Sequence, residues 1–309
     1  MRWRRGHRLK LVGEAEAPPR TREIFDEVRH KLGLPVVPIL YQAYAAYPDF
    51  LEIHWQTFRP AIGSRQFFLL GARLAAESYT RIHNYFDVGS LASRELHSNQ
   101  GPGLSLAQVL DYYQYLDPLL LLIASAQLQA FEGPVGTERL VPEPAQHPNF
   151  PVSPCLLDGA AASPTLQRVW DERRRAMELA FISDEHRAMA RWPGFYDGYS
   201  RALQELMRSP LFTDCQHRIN ESAWGLVGEI PARIETGLTQ LLDAGLSHEQ
   251  TASIVYINEA LCHAFSGLVL DITFARVAYE GGTHREGRAH PRSVGEAEPK
   301  ESGSPTQAA

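Results

Sequence analysis

Residues 181–195, FISDEHRAMARWPGF, and residues 36–50, VVPILYQAYAAYPDF, share a pattern in which an apolar helical run closes on aromatic-Pro-x-Phe. The first carries Ser183 and Asp184 where the second carries Pro38 and Ile39. The match widens on both sides. Residues 21–55 align without a gap onto 166–200, 145 residues on, placing Ile24-Phe25-Asp26-Glu27 on Val169-Trp170-Asp171-Glu172 and Tyr47-Pro48-Asp49-Phe50 on Trp192-Pro193-Gly194-Phe195. Further along, SAQLQAFEG at 125–133 falls on TFARVAYEG at 273–281, the spacing having grown to 148. A repeat of this length predicts two similar helical halves forming a pseudo-dimer, with equivalent positions facing one central seam.

Both halves carry helical periodicity. EIFDEVRHKL, YPDFLEIHWQTFRPAI, QFFLLGARLAAESYTRI and SLAQVLDYYQYL in the first half place apolar residues at i, i+3, i+4 and i+7. So do TLQRVWDERRRAMELAF, YDGYSRALQELM, EIPARIETGLTQLLDAG and the run from Ser247 to Glu280 in the second. Strand-like alternation is scarce, and the expected class is all-α. Ser247-His-Glu-Gln250 fits a capping box after the Gly245 stop, and Ser105 opens a helix after Gly101-Pro-Gly. The expected division is a tail at 1–19, a first helical repeat at 20–132, a Pro- and Gly-rich linker at 133–165, a second repeat at 166–282, and a polar tail at 283–309 too poor in apolar residues to order itself.

A composition 44% apolar and 21% charged suits a folded protein with a sizeable core. The net charge of −6 offers no basic footprint for a phosphate backbone, so nucleic acid is not an expected partner. The basic start MRWRRGHRLK is followed by no apolar signal-like stretch, and no run reads as a membrane span, so the expectation is a cytoplasmic protein without a membrane partner. Cys155, Cys215 and Cys262 form no CxxC pair, which argues against both a disulfide framework and a redox dithiol.

Two acids stand out. Asp184 precedes a helical stretch, where the plain reading is a helix-start acid and the sharper one is a reagent facing the hydrocarbon of Ile39. Asp117 precedes Pro118 in DYYQYLDPLLLLIA, which reads as a buried chain break between helices, or simply as an Asp-Pro helix start. Metal readings are weaker: Glu27-Val-Arg-His30 is a lone E-x-x-H whose repeat copy is Glu172-Arg-Arg-Arg175, and Glu259 with His263 lacks a third ligand. No metal and no cofactor are expected.

In combination these residues resemble the group I, or DL-type, 2-haloacid dehalogenases, the DehI or halocarboxylic acid dehydrogenase family. The likeness runs from about residue 20 to 281. It rests on Tyr47-Pro48-Asp49-Phe50-Leu51, Gln114-Tyr115-Leu116-Asp117-Pro118 with LLLLIASA, Gly133-Pro134-Val135-Gly136, Ser183-Asp184 with Ala190-Arg191-Trp192-Pro193, and Asp271-Ile272-Thr273. The resemblance implies an all-helical, two-half enzyme that replaces the C2 halogen of a short 2-haloalkanoate with water, inverting the centre without a covalent ester. It implies that Asp184 activates the water beside Ser183, and that Asp117 stands where the family has an asparagine. The family's pocket tryptophan and phenylalanine fall on the smaller Val36 and Ile39, and a pocket tyrosine falls on Phe265. Ser183, Val36, Ile39, Phe265 and Val269 are thus the expected substrate-binding residues, with a helix start near Ser183 holding the carboxylate.

Two other readings stay beside this one. A family member could keep a small-acid pocket without dehalogenation, and an alkylhydroperoxidase-like reductase would need the redox cysteine pair that this sequence lacks. The internal duplication neither requires nor forbids a real homodimer.

Overall fold

The structure is a computed structural model that describes residues 9–91, 104–137, 143, 148, 150, 152–176 and 181–283. The tail from 284 onward and the linker positions outside those ranges are therefore not described. Among the described residues the chain is helical, and its one β pairing is an isolated antiparallel bridge between Val135 and Ile234. The first half supplies α1 (Pro19–Leu32), α2 (Ile39–Tyr44), α3 (Pro48–Phe58), α4 (Arg65–Tyr85) and α5 (Leu106–Ala130). The second supplies α6 (Pro164–Ala176), α7 (Asp184–Met189), α8 (Pro193–Met207), α9 (Pro210–Leu226), α10 (Leu238–Asp243) and α11 (His248–Glu280). The starts of α1 to α4 lie 145 residues before those of α6 to α9.

Local chemistry explains the boundaries. Proline occupies the first helical position of α1, α3, α8 and α9, where its missing N–H costs nothing and its fixed φ is already helical. Ser105 and Ser247 each form a full capping box, with Gln108 and Gln250 returning the hydrogen bond to the cap N–H at 2.9 and 2.8 Å.

The centre of the molecule is α5 lying along α11. Every residue from Leu116 to Gln127 is buried, and so is every residue from Ala264 to Thr273 and on to Ala275. A helix that is buried all round takes its stability from packing rather than from amphipathicity. The same facts account for α11 being long and apolar enough to cross a membrane by length and composition, although most of that stretch is buried inside the protein.

Three expectations change. Pro118 does not break the chain: α5 runs through it, and tight packing on all sides offsets the backbone hydrogen bond that proline removes. The helix expected over 229–245 shrinks to Leu238–Asp243, because Pro231 and Gly237 interrupt it and Ile234 pairs with Val135 instead. Residues 9–18, expected as a tail, lie against the core, with Ala17 buried and Val12 N–H donating to Gln42 O at 3.0 Å. α9 escaped the sequence reading because its inward stripe of Phe212, Cys215, Ile219, Ala223 and Leu226 is narrow and partly built from small residues.

The bridge also fixes one glycine. Gly136 has φ +81°, and a Cβ there would sit 2.0 Å from Ala232 O. Gly136→Ala is expected to destabilise the fold by about 1–3 kcal/mol or more through strain and clash, read as a lowered Tm. Gly159→Ala, whose Cβ meets nothing within 4 Å, serves as the near-neutral control.

Candidate active site

Where α2, α5, α7 and α11 meet, they enclose a narrow cavity of about 30 Å³. Its walls include Val36, Ile39, Asp117, Asp184 and Phe265, so five of the residues singled out in the sequence come together in space. Ser183 is buried beside them as the N-cap of α7. Val269 does not line the cavity; its carbonyl accepts the Ser78 hydroxyl of α4 at 3.1 Å, and Leu268 supplies the α11 wall next to Phe265. Val36 and Ile39 are only half-buried, and Tyr112, Tyr113 and Phe181 line the same cavity.

Asp184 is the first residue of α7, so the plain reading as a helix-start acid and the sharper one describe the same place. Its side chain is one-third exposed and lies 3.3 Å from Arg187 Nη1. Burial of much of its surroundings raises its pKa above the usual carboxylate value, while the Arg187 charge and hydrogen bond pull it back down. The result is a carboxylate held by one cation at the mouth of an apolar cavity.

Among the described residues no ion pair holds the two neighbouring acids. Asp117 is fully enclosed on α5, and burial, then the charges of Glu185, Asp271 and Asp184, hold its carboxyl well above the ordinary range. Glu185, which the sequence reading passed over, is buried on α7 and pushed up to about 8, chiefly by burial, with Asp271 and Asp184 adding to the rise and its own backbone N–H and Ser183 opposing it. Asp117 Oδ2 and Glu185 Oε1 make no hydrogen bond within the described residues. Burial thus favours the neutral form of both acids, in which each is an O–H donor, while Arg187 favours the charged form of Asp184.

Behind the cavity lies a second polar layer. His186 Nε2 and Asp271 Oδ2 are 2.9 Å apart and fully enclosed. Tyr199 donates its hydroxyl to the other Asp271 oxygen, and the Tyr196 hydroxyl lies 3.2 Å from His186 Nδ1. Asp271 was visible in the sequence only as part of a short match, and His186 not at all. The signal available for both was an ionisable residue inside an otherwise apolar helical run. Glu27 of the lone E-x-x-H accepts Trp55 Nε1 at 2.8 Å and pairs with Arg59, which is a structural use.

An all-helical protein with a buried cavity carrying three carboxyl groups and a hydrocarbon wall is the class this site defines. The model for the family described as "Halocarboxylic acid dehydrogenase DehI" matches residues 35–186, which brings in α2, α5 and the start of α7. An (R)-2-haloacid dehalogenase of Pseudomonas putida is 25% identical over 278 residues, spanning 86% of this chain and 91% of that protein. Another (R)-2-haloacid dehalogenase, from Rhizobium sp. (strain NHG3), is 21% identical, spanning 72% of this chain and 88% of that protein. Among solved structures, a D-2-haloacid dehalogenase in complex with L-LA superposes with a TM-score of 0.81 at 23% identity, covering 90% of this chain and 99% of that one, which shows a common fold. The chain is thus similar to the DehI family of 2-haloacid dehalogenases, whose model covers residues 35–186, and to two curated 2-haloacid dehalogenases over most of its length.

Glu185 gives a direct test of the charge assignment. Its folded pKa of about 8 stands above the ordinary value of 4.5, so the native state binds more protons than the unfolded chain between those two points. Stability then falls as pH rises through that window. Glu185→Gln, which keeps the shape of the neutral acid, is expected to raise stability at pH 7 by at least about 1 kcal/mol and to flatten the dependence of Tm on pH. A pH series of thermal melts reads both.

Proposed function

We propose that this protein is a cofactor-independent hydrolase acting on the carbon–halide bond of a short 2-haloalkanoate. The observation that carries this reading is the one cavity where Asp184, paired with Arg187, lies with the buried acids Asp117 and Glu185 over a hydrocarbon wall. The names of the P. putida and Rhizobium relatives support the substrate class. In this mechanism Asp184 takes a proton from water, the water oxygen forms a bond to C2 opposite the halogen, and the carbon–halogen bond breaks with its electron pair leaving as halide. Attack from behind inverts the centre, and no ester to the protein forms. A dry pocket favours this step because neither the carboxylate nor the departing charge has bulk water to reorganise.

Asp117 would do the work of the family's asparagine. A protonated carboxyl offers one donor and one acceptor, nearly the shape and bonding of an amide. Glu185 would keep the proton count right, since three carboxylates in one dry space cannot all ionise. Ser183, Val36, Ile39 and Phe265 would bound the substrate, with Val269 supporting from behind Leu268. A cavity of about 30 Å³ is water-sized, so substrate entry would require the half-buried Phe181 and its neighbours to yield.

The cavity is also where the proposed duplication meets itself. At the spacings of the repeat, Val36 pairs with Phe181, Ile39 with Asp184, Asp117 with Phe265 and Leu120 with Leu268, and all eight line it. This supports a pseudo-twofold axis passing through the pocket, with each acid opposed by an apolar counterpart.

Halide release from racemic 2-chloro- and 2-bromopropionate is the deciding assay, and absence of release across a series of chain lengths would favour a binding protein that keeps the pocket without the reaction. Asp184→Asn should lower turnover at least about 100-fold with helical content unchanged, whereas Asp117→Asn should retain activity. The profile of kcat/KM against pH should fall at the acid side as Asp184 gains its proton and at the alkaline side as Asp117 and Glu185 lose theirs. Equal loss in both variants would show that the two acids do not divide the roles in this way.

A further inference from the structure

A second and much larger cavity, about 700 Å³, opens between α6 and α8 on the far side of Tyr196, and it shares no lining residue with the carboxylate cavity. Its origin is legible in the repeat. At the matched positions of the first half, Val28, Trp55 and Ile62 are buried and fill the space between α1 and α3. The second half has Arg173, Ser200 and Met207 there, and all three line the cavity. Exchange of an indole for a hydroxymethyl group removes the filling, and exchange of valine for arginine puts a charge in its place.

That charge is unusual. Arg173 is only 5% exposed, yet no carboxylate pairs with it among the described residues. One Nη donates to Ser200 O at 3.1 Å, the other faces Met207 Sδ at 2.7 Å, and Nε has no partner. A guanidinium enclosed without a counter-charge is costly, and an anion laid along its open edge recovers that cost through charge-assisted hydrogen bonds. The rest of the wall is chiefly apolar, with Leu157, Leu166, Val169 and Ala190 facing the same space. At the rim Arg191, Arg201 and Arg208 stand with Asp197 and Glu172, Arg201 pairing with Asp197 and Glu172 taking a hydrogen bond from Gln204, so the enclosed Arg173 is set apart from a rim of mixed charge.

We propose that this cavity is a binding site for a monocarboxylate with an apolar body, its head group on Arg173 and its chain along Leu166 and Val169. The volume lies within the roughly 300–1,000 Å³ of small-molecule sites, and the lining has their usual mixture of hydrocarbon with a few polar groups, of which Arg173 is the enclosed charge. The site is independent of the dehalogenase reading, because none of its residues belongs to the carboxylate cavity. Through Tyr196, which lines it and whose hydroxyl contacts His186, occupancy has a physical route to the polar layer behind the active site.

Titration calorimetry of the full chain with octanoate tests this without reference to turnover. Wild type should bind with saturation, while 1-octanol, which lacks the charge, and inorganic phosphate, which lacks the chain, should bind at least about tenfold more weakly. Val169→Trp, which fills the cavity, and Arg173→Leu, which removes the anchor, should each weaken octanoate at least about tenfold, with halide release unaltered. Asp184→Asn should bind octanoate as wild type does. Absence of saturable binding, equal affinity for octanol, or undiminished binding by Val169→Trp would each overturn the proposal, and Val169→Trp decides alone if Arg173→Leu does not fold.

Discussion

The packing of α5 along α11 is the constraint on which the other elements depend. Twelve consecutive residues of each helix, 116–127 and 264–275, are buried, so over those stretches neither helix has a face to give to water. Such a pair can exist only inside a shell, and α2, α4, α7, α8 and α9 are that shell. The close approach is visible at Gly71 of α4, where a Cβ would meet Leu119 Cδ2 of α5 at 2.4 Å. Interiors packed this tightly leave few gaps larger than a water molecule, which is why the carboxylate cavity is so small.

Burial of this kind sets the chemistry. Placing Asp117 and Asp271 in the middle of such helices forces each to find a proton or a partner, because an isolated ionised carboxylate is expensive there. Asp271 finds His186 and Tyr199, while burial of Asp117 favours its neutral form. Asp184 differs because α7 is short and lies at the edge of the core, where a one-third-exposed side chain can reach Arg187. Acids within one small region thus acquire different surroundings from position alone, the same logic by which paired carboxyls divide acid and base roles.

How much of this could be read in advance follows from the same physics. The helical class and most helix bodies were legible, because periodicity and capping are local signals, as the Ser247 to Gln250 box illustrates. The gathering of Val36, Ile39, Asp117, Asp184 and Phe265 into one cavity was legible through the repeat and the family likeness, which stand in for tertiary contacts. The continuity of α5 through Pro118 was not, since local steric rules argue against it and only the surrounding packing overrides them. Glu185 was missed because an acid next to Asp184 in a helix start looks like a solvated charge. Its burial is set by α5 and α11, which lie far away in sequence. Arg173 was hidden for the same reason, since RRR at 173–175 reads as a solvated basic face and only the fold turns the first of the three inward.

The asymmetry seen at Asp184 and Ile39 runs deeper than the cavity wall. At the repeat spacing, His186 stands where the first half has Tyr41, and Tyr199 stands where it has His54, so each half buries one histidine and one tyrosine in exchanged places. The partners differ in kind. His54 Nδ1 meets Gln127 Oε1 at 2.7 Å, Gln127 donates onward to Thr236, and burial lowers the His54 pKa to about 3, so this network is neutral throughout. His186 instead meets the carboxylate of Asp271, whose counterpart in the first half is the hydrocarbon of Ile123. A neutral amide network can be buried at little cost once its hydrogen bonds are satisfied. The buried histidine of the first half therefore sits in a network of neutral amide and hydroxyl groups, and that of the second half against a carboxyl group.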